Sequence, residues 1–299
     1  MVFFCFLLVA GAAQAENGLV RITDKVYAYV DVKESSAANS FGANAGIIIG
    51  DKEIIVIDTL VSAREAQRFI RDIREISEKP IKYVVNTHYH LDHSFGNSEF
   101  IKLGATLITH ANCADEIRLK GQSTLAGAEG YGLTPEDMVG TEISFPEITF
   151  TDRMQLTLDG MDIQLIYVAP SHSKGSILVY LPGEKVVFAG DVLFTDFHPY
   201  MGDGDIAGWL QNLDFLAGLE ADRIIPGHGP LSNKKDVADM QAYITTFDRK
   251  AGELASDTRG LAEIIAEMKK ILPARAQGEW LIGASLQAKY LKPIDNGKN

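Results

Sequence analysis

Cysteine is nearly absent from this chain: Cys5 and Cys113 are the only two among 299 residues. Cys5 sits in an N-terminal apolar run and Cys113 in an apolar helical stretch, so no disulfide framework and no cysteine-rich zinc module is encoded. Cationic side chains are also short. Against 40 Asp and Glu stand 28 Lys and Arg, a net charge of −12 that leaves nothing to neutralise nucleic acid or to dock on an anionic membrane. Long apolar runs are missing apart from Val2 to Gly11, which is too short to cross a bilayer. No Gly-x-Ser-x-Gly occurs, so no serine nucleophile is signposted. Repeats, low-complexity tracts and linkers are lacking as well. What remains, 46% apolar residues, is ample for one compact α/β unit over 16–299.

Residues 1–15 stand apart. Their apolar run ends in Ala13-Gln14-Ala15, small residues at the −3 and −1 positions of a cleavage site before Glu16. The segment reads as a secretory signal peptide, although no Lys or Arg precedes the apolar part, and it implies a periplasmic or secreted protein. Removal of Cys5 with it leaves Cys113 without a partner.

Residues 19–23 and 26–32 are rich in β-branched and aromatic side chains and read as strands. So do 45–49 and 53–58, joined by Gly50-Asp51-Lys52 as a hairpin-like turn. From 62 to 78 the apolar spacing turns helical (Ala66, Phe69, Ile70, Ile73), and Pro80 precedes a buried strand at 81–86. Strands near 105–109, 153–158, 161–168, 176–181, 185–190 and 222–226 and helices near 111–120 and 206–218 follow. Two or three amphipathic helices occupy 233–292. The polar segment 33–43 and the glycine- and proline-rich 122–146 are expected to be loops, both placed to cover a cleft.

The chemistry is concentrated in Thr87-His88-Tyr89-His90-Leu91-Asp92-His93, directly after an apolar strand. Residues at i and i+2 of extended backbone project to one side, so His88 and His90 can grip one ion. Asp92 and His93 follow as the chain turns and offer an oxygen and a nitrogen to a neighbouring position. Three later residues are each expected in a loop just past an apolar strand: His172, Asp191 and His228. Strand ends are where ligand sites collect in α/β sheets. Glycines beside Asp191 and His228 allow close approach of backbone. Together these seven residues complete two metal shells.

On this His-x-His-x-Asp-His motif and the order of the later three residues, the chain resembles the metallo-β-lactamase-fold hydrolases over roughly 18–230. The resemblance implies an αβ/βα four-layer sandwich with two zinc ions in a cleft at one edge. His88, His90 and His172 would hold the first, Asp92, His93 and His228 the second, and Asp191 would bridge them. It also places an acid at Asp58, which would orient a ligand imidazole or merely begin a helix. Two zinc ions so held would share a water and bring its pKa toward neutrality for attack on a carbonyl, with Asp92 orienting it. The substrate is a small molecule, and the reaction the resemblance favours is a β-lactamase-like opening of an amide or ester bond.

Other readings stay open. A bridging Asp is shared with glyoxalase-II-like thioesterases and lactonases, and Phe194 stands where β-lactamases of the fold that use two zincs often carry Lys. An iron-dependent persulfide dioxygenase would use two His and one Asp on one metal, and a non-catalytic zinc-binding module would use the site as a staple. Tyr200 and His198 are candidates to line the pocket, whereas His110 reads as structural and Cys113 as inert core.

Overall fold

Successive residues of a strand face opposite ways, and the central strands here are apolar on both faces, as a sheet buried on both sides requires. The structure, a computed structural model, describes residues 18–255 and 259–291. The apolar run and cleavage pattern of residues 1–15 lie outside the described residues.

Strands β1 (Val20–Arg21), β2 (Val26–Ala28), β3 (Gly46–Ile49), β4 (Ile54–Ile57), β5 (Ile81–Val85), β6 (Thr106–His110) and β7 (Ile148–Phe150) form a seven-stranded sheet in sequential order. Pairing is antiparallel from β1 to β4 and parallel from β4 to β7. A five-stranded sheet follows from β8 (Arg153–Leu158), β9 (Met161–Ile166), β10 (Leu178–Leu181), β11 (Val186–Phe194) and β12 (Arg223–His228), with β11 and β12 parallel.

One set of alternate residues forms the core between the sheets. Ile55, Ile57 and Val85 of the first meet Ile163, Val179 and Phe188 of the second. The other set meets helices. Ile54, Val56 and Val84 pack on Phe69 of α1 (Ala63–Ile76) and Phe100 of α3 (Asn97–Ile101), beyond the short α2 (Leu91–Ser94). Leu178, Val187 and Ile224 pack beneath α5 (Ile206–Gly218), α6 (Lys234–Leu254), α7 (Leu261–Ile271) and α8 (Trp280–Ser285), with Trp209, Tyr243 and Phe247 fully buried. The result is the αβ/βα four-layer sandwich. Among the described residues, no helix is long and apolar enough to cross a membrane.

Several local expectations need correction. Asp191 does not follow a strand in a loop; it lies inside β11, which runs on to Phe194. His228 is likewise the last residue of β12. The register of β11 against β12 shifts on both sides of Gly190, whose φ of +48° is readily available only to glycine among common strand residues. That irregularity made the strand look finished before Asp191. The segment 122–146 is partly ordered: α4 (Ala111–Ala126) continues beyond 120 and a 3-10 turn occupies Ala128–Tyr131. Residues 33–43 contain 3-10 turns over Ala37–Gly42, with Ser40 and Phe41 buried at φ +50° and +52°.

Candidate metal centre

The chain leaves β5 at Val85 and enters α2 with His90 as its N-cap, so His88, His90, Asp92 and His93 cluster where strand turns into helix. Asn86 and Thr59 hold that corner. The Asn86 side-chain amide and the Thr59 N–H both donate to the His93 carbonyl, at 3.1 and 2.9 Å. The second sheet brings His172 from the loop after β9, Asp191 from β11 and His228 from the end of β12. All seven residues converge, in two groups of potential ligand atoms.

In the first group, His90 Nδ1 is 3.1 Å from His88 Nε2 and 2.8 Å from His172 Nε2. Asp191 Oδ2 lies 3.1 Å from His172 Nε2 and 3.7 Å from His88 Nε2. In the second, Asp92 Oδ2 lies 3.3 Å from His228 Nε2 and 3.7 Å from His93 Nε2. The other oxygen of Asp191, Oδ1, turns to this second group, 3.1 Å from His93 Nε2 and 3.6 Å from His228 Nε2. Donors about 2.0–2.2 Å from one tetrahedral ion stand roughly 3.3–3.6 Å apart, which these separations bracket.

Protonation follows from the outer partners. His93 Nδ1 faces Asp58 Oδ2 at 2.9 Å, His90 Nε2 faces Asp203 Oδ2 at 3.0 Å, and His172 Nδ1 faces the Tyr200 carbonyl at 3.1 Å. Each of these oxygens only accepts, so the outer nitrogens carry the hydrogens. The Thr87 hydroxyl donates to Asp58 at 2.7 Å and accepts from His88 Nδ1 at 3.1 Å. With their outer nitrogens holding hydrogens, four imidazoles turn their inner nitrogens toward the centre, where a cation is needed, either a metal ion or a proton. His93 Nε2 and Asp191 Oδ1 are buried and, although 3.1 Å apart, are not aligned for a hydrogen bond and have no other partner. Metal ligands are left in this state when the cation is taken away.

The electrostatics agree. Burial opposes charge on His93 and His228, but the Asp191 and Asp92 carboxylates outweigh it, holding His93 well above its ordinary pKa and His228 up to about 9. Burial also opposes the Asp191 anion, yet His93, His228, His172 and His88 keep its carboxyl well below the usual range.

Asp58 is therefore an orienting partner of His93 and, through Thr87, of His88. It is not the cap of α1, which is Ser62. Sequence reasoning missed Asp203. Its carboxylate takes hydrogen bonds from His90, from the Tyr89 hydroxyl, and from Lys120 at 3.3 Å. No local pattern marks this acid, which lies 83 to 114 residues from its partners. Tyr200 lines the cavity above the centre, while His198 does not and bonds the Tyr243 hydroxyl at 2.7 Å. His110 caps α4 and stacks on Tyr167, as a structural residue would, and Cys113 is buried.

The sequence model of the Metallo-beta-lactamase superfamily matches residues 39–228, and the chain belongs to that superfamily, whose members are mostly metal-dependent hydrolases. It is similar to the metallo-beta-lactamase type 2 of Bacteroides fragilis, 26% identical over 234 residues, 77% of this chain and 86% of that protein. It is equally similar to the 2,4-dinitroanisole O-demethylase subunit alpha of Nocardioides sp. (strain JS1661), 26% identical over 202 residues, 67% of this chain and 56% of that one. The solved structure of the stereoselective inverting sec-alkylsulfatase Pisa1 from Pseudomonas sp. superposes with a TM-score of 0.65 at 19% identity, over 94% of this chain and 51% of that one. The chain thus spans about half the length of the last two proteins.

Proposed function

We propose that this chain is a dinuclear zinc hydrolase that opens an amide or ester bond of a small molecule. The observation that carries the reading is Asp191, whose two carboxylate oxygens face separate imidazole groups. His88, His90 and His172 are assigned to one zinc, Asp92, His93 and His228 to the other, and Asp191 to both. Five neutral imidazoles and two carboxylates suit a borderline divalent ion. When bound, the pair would acidify a shared water toward neutrality and polarise the scissile carbonyl. Asp92 lines the cavity beside Asp191 and is assigned to orient the attacking water and accept its proton.

Seven donors for two ions leave open coordination positions, and the cavity of about 900 Å³ above them supports catalysis over a structural staple. Two donor groups sharing a carboxylate also favour a metal pair over the single iron of a persulfide dioxygenase. The test is metal analysis with a panel of chromogenic β-lactam, lactone, ester, thioester and phosphodiester substrates. About two zinc per chain is expected, with hydrolysis of a carbonyl substrate that chelation abolishes and zinc restores. Chelator-insensitive turnover, or iron with oxygen consumption on a persulfide, would overturn the reading.

The outer hydrogen bonds make a separate prediction. Asp58→Asn replaces the anion that fixes His93 and, through Thr87, His88. Zinc affinity is expected to fall about 10- to 100-fold, measured by competition with a chromophoric chelator. Wild-type affinity would remove Asp58 from that role.

A further inference from the structure

We infer that the chamber over the centre is built for a neutral, apolar acyl or alkyl group, with the C-terminal helices as its outer wall; the inference rests on the hydrolase reading and names the substrate class of the same site. The floor of the cavity is the centre itself, through His90, Asp92, His172, Asp191 and His228. One wall is Leu261 and Ile265 of α7 with Trp280, Leu281 and Ala284 of α8, and the facing side carries Phe41, Tyr131, Phe194 and Phe197. Among the described residues that line it there is no Lys and no Arg.

The charges that do border the chamber are already engaged. Asp92 and Asp191 belong to the centre. The Asp203 carboxylate is held by His90, Tyr89 and Lys120, and the Lys120 ammonium is turned onto the Tyr89 hydroxyl at 2.7 Å and onto Asp203. Beyond them the polar lining is Ser35, Thr124, Gln287 and the phenols of Tyr131 and Tyr200, all uncharged. Away from the metal centre, a substrate carboxylate or phosphate against the chamber walls would lose its water and find no cationic side chain among the described lining residues. An alkyl chain would lose only unfavourable hydration, and each methylene buried would favour binding about fourfold.

The mouth has the same character. Trp280 and Tyr131 are 53% and 49% exposed, large apolar side chains standing in water where they border the opening. The Phe41 ring reaches across to Trp280, with centroids 5.9 Å apart. Phe41 holds a left-handed backbone that bulky residues avoid, kept there by the turn whose Ser40 hydroxyl accepts from the Val61 N–H at 3.1 Å. The aromatic wall is thus set in place before substrate arrives.

The experiment uses the zinc-loaded full chain with p-nitrophenyl acetate, butyrate and octanoate, and with mono-p-nitrophenyl suberate, which has the octanoate length and a terminal carboxylate. The chelator-sensitive kcat/KM is expected to rise about 30-fold or more from acetate to octanoate and to fall at least about tenfold from octanoate to suberate. Ala284→Trp, which fills the wall, is expected to lower the octanoate-to-acetate ratio about tenfold. A flat chain-length series, or suberate as good as octanoate, overturns the inference while leaving the hydrolase reading intact. Should no ester turn over, the hydrolase reading stands or falls on the wider substrate panel and the chamber is judged by binding of 1-decanol. A saturable blue shift of tryptophan emission, lost in Trp280→Phe, then supports it, and no shift overturns it.

Discussion

Alanine in place of Asp191 is expected to leave a folded protein that retains at most one zinc and turns over at least about a thousandfold more slowly. Residues that merely orient a ligand typically contribute 10- to 100-fold, and Asp191 stands closer to the chemistry than any of them. Among the described residues its carboxylate alone lies within 4 Å of nitrogens from His88, His93, His172 and His228 alike. Without it, Asp92 is the sole anion left among the seven residues to offset two dications. Elemental analysis of the purified variant together with kcat/KM reads the result, with circular dichroism as the check on folding. Two zinc per chain and near wild-type turnover would take Asp191 out of the centre.

Gly227→Ala should be nearly as damaging, for a steric reason. A Cβ at Gly227 would lie 1.8 Å from Asp191 Oδ1, 2.7 Å from the Gly190 carbonyl carbon and 2.8 Å from the Asp191 nitrogen. Two of these atoms are backbone of β11 and cannot swing aside. Either the β11–β12 pair parts, or the Asp191 carboxylate leaves the position it holds between the imidazoles. A stability loss of about 2–3 kcal/mol is expected from overpacking, with at least a hundredfold loss of activity on the order expected for a displaced ligand. Urea unfolding and zinc content measure both effects. Gly252→Ala is the matched control: nothing lies within 4 Å of a Cβ there, in the last turn of α6, and it should be neutral or gain up to about 1 kcal/mol. Equal behaviour of the two variants would refute the steric account.

How much of this is written locally in the sequence varies with the range of the interaction. The His88 to His93 cluster is legible because all its members come from one strand end and one helix start. The amphipathic stripe of α1 is legible for the same reason: Ala66, Phe69 and Ile73 recur at helical spacing and all are buried. The true extent of β11 is not, since Gly190 and Asp191 interrupt its apolar pattern while the backbone continues across the irregularity to Phe194. α2 and α3 are too short for any periodicity to show, and β7 is three residues long. The C-terminal helices can be read as helices, but nothing in their own periodicity says that α7 and α8 face the cavity. Asp203 is the extreme case. Its role depends wholly on folding that brings it to His90, and an acid between glycines in a loop has the look of an ordinary turn.

The provenance of the seven side chains has a mechanical side. His88, His90, Asp92 and His93 are carried by the strand–helix corner of the first sheet, and His172, Asp191 and His228 by the second. Every cation seated there would rivet one half of the sandwich to the other at the open edge of the inter-sheet core. Rigidity and chemistry would then be supplied by the same ions, and starving the protein of metal would loosen its architecture as well as silence it.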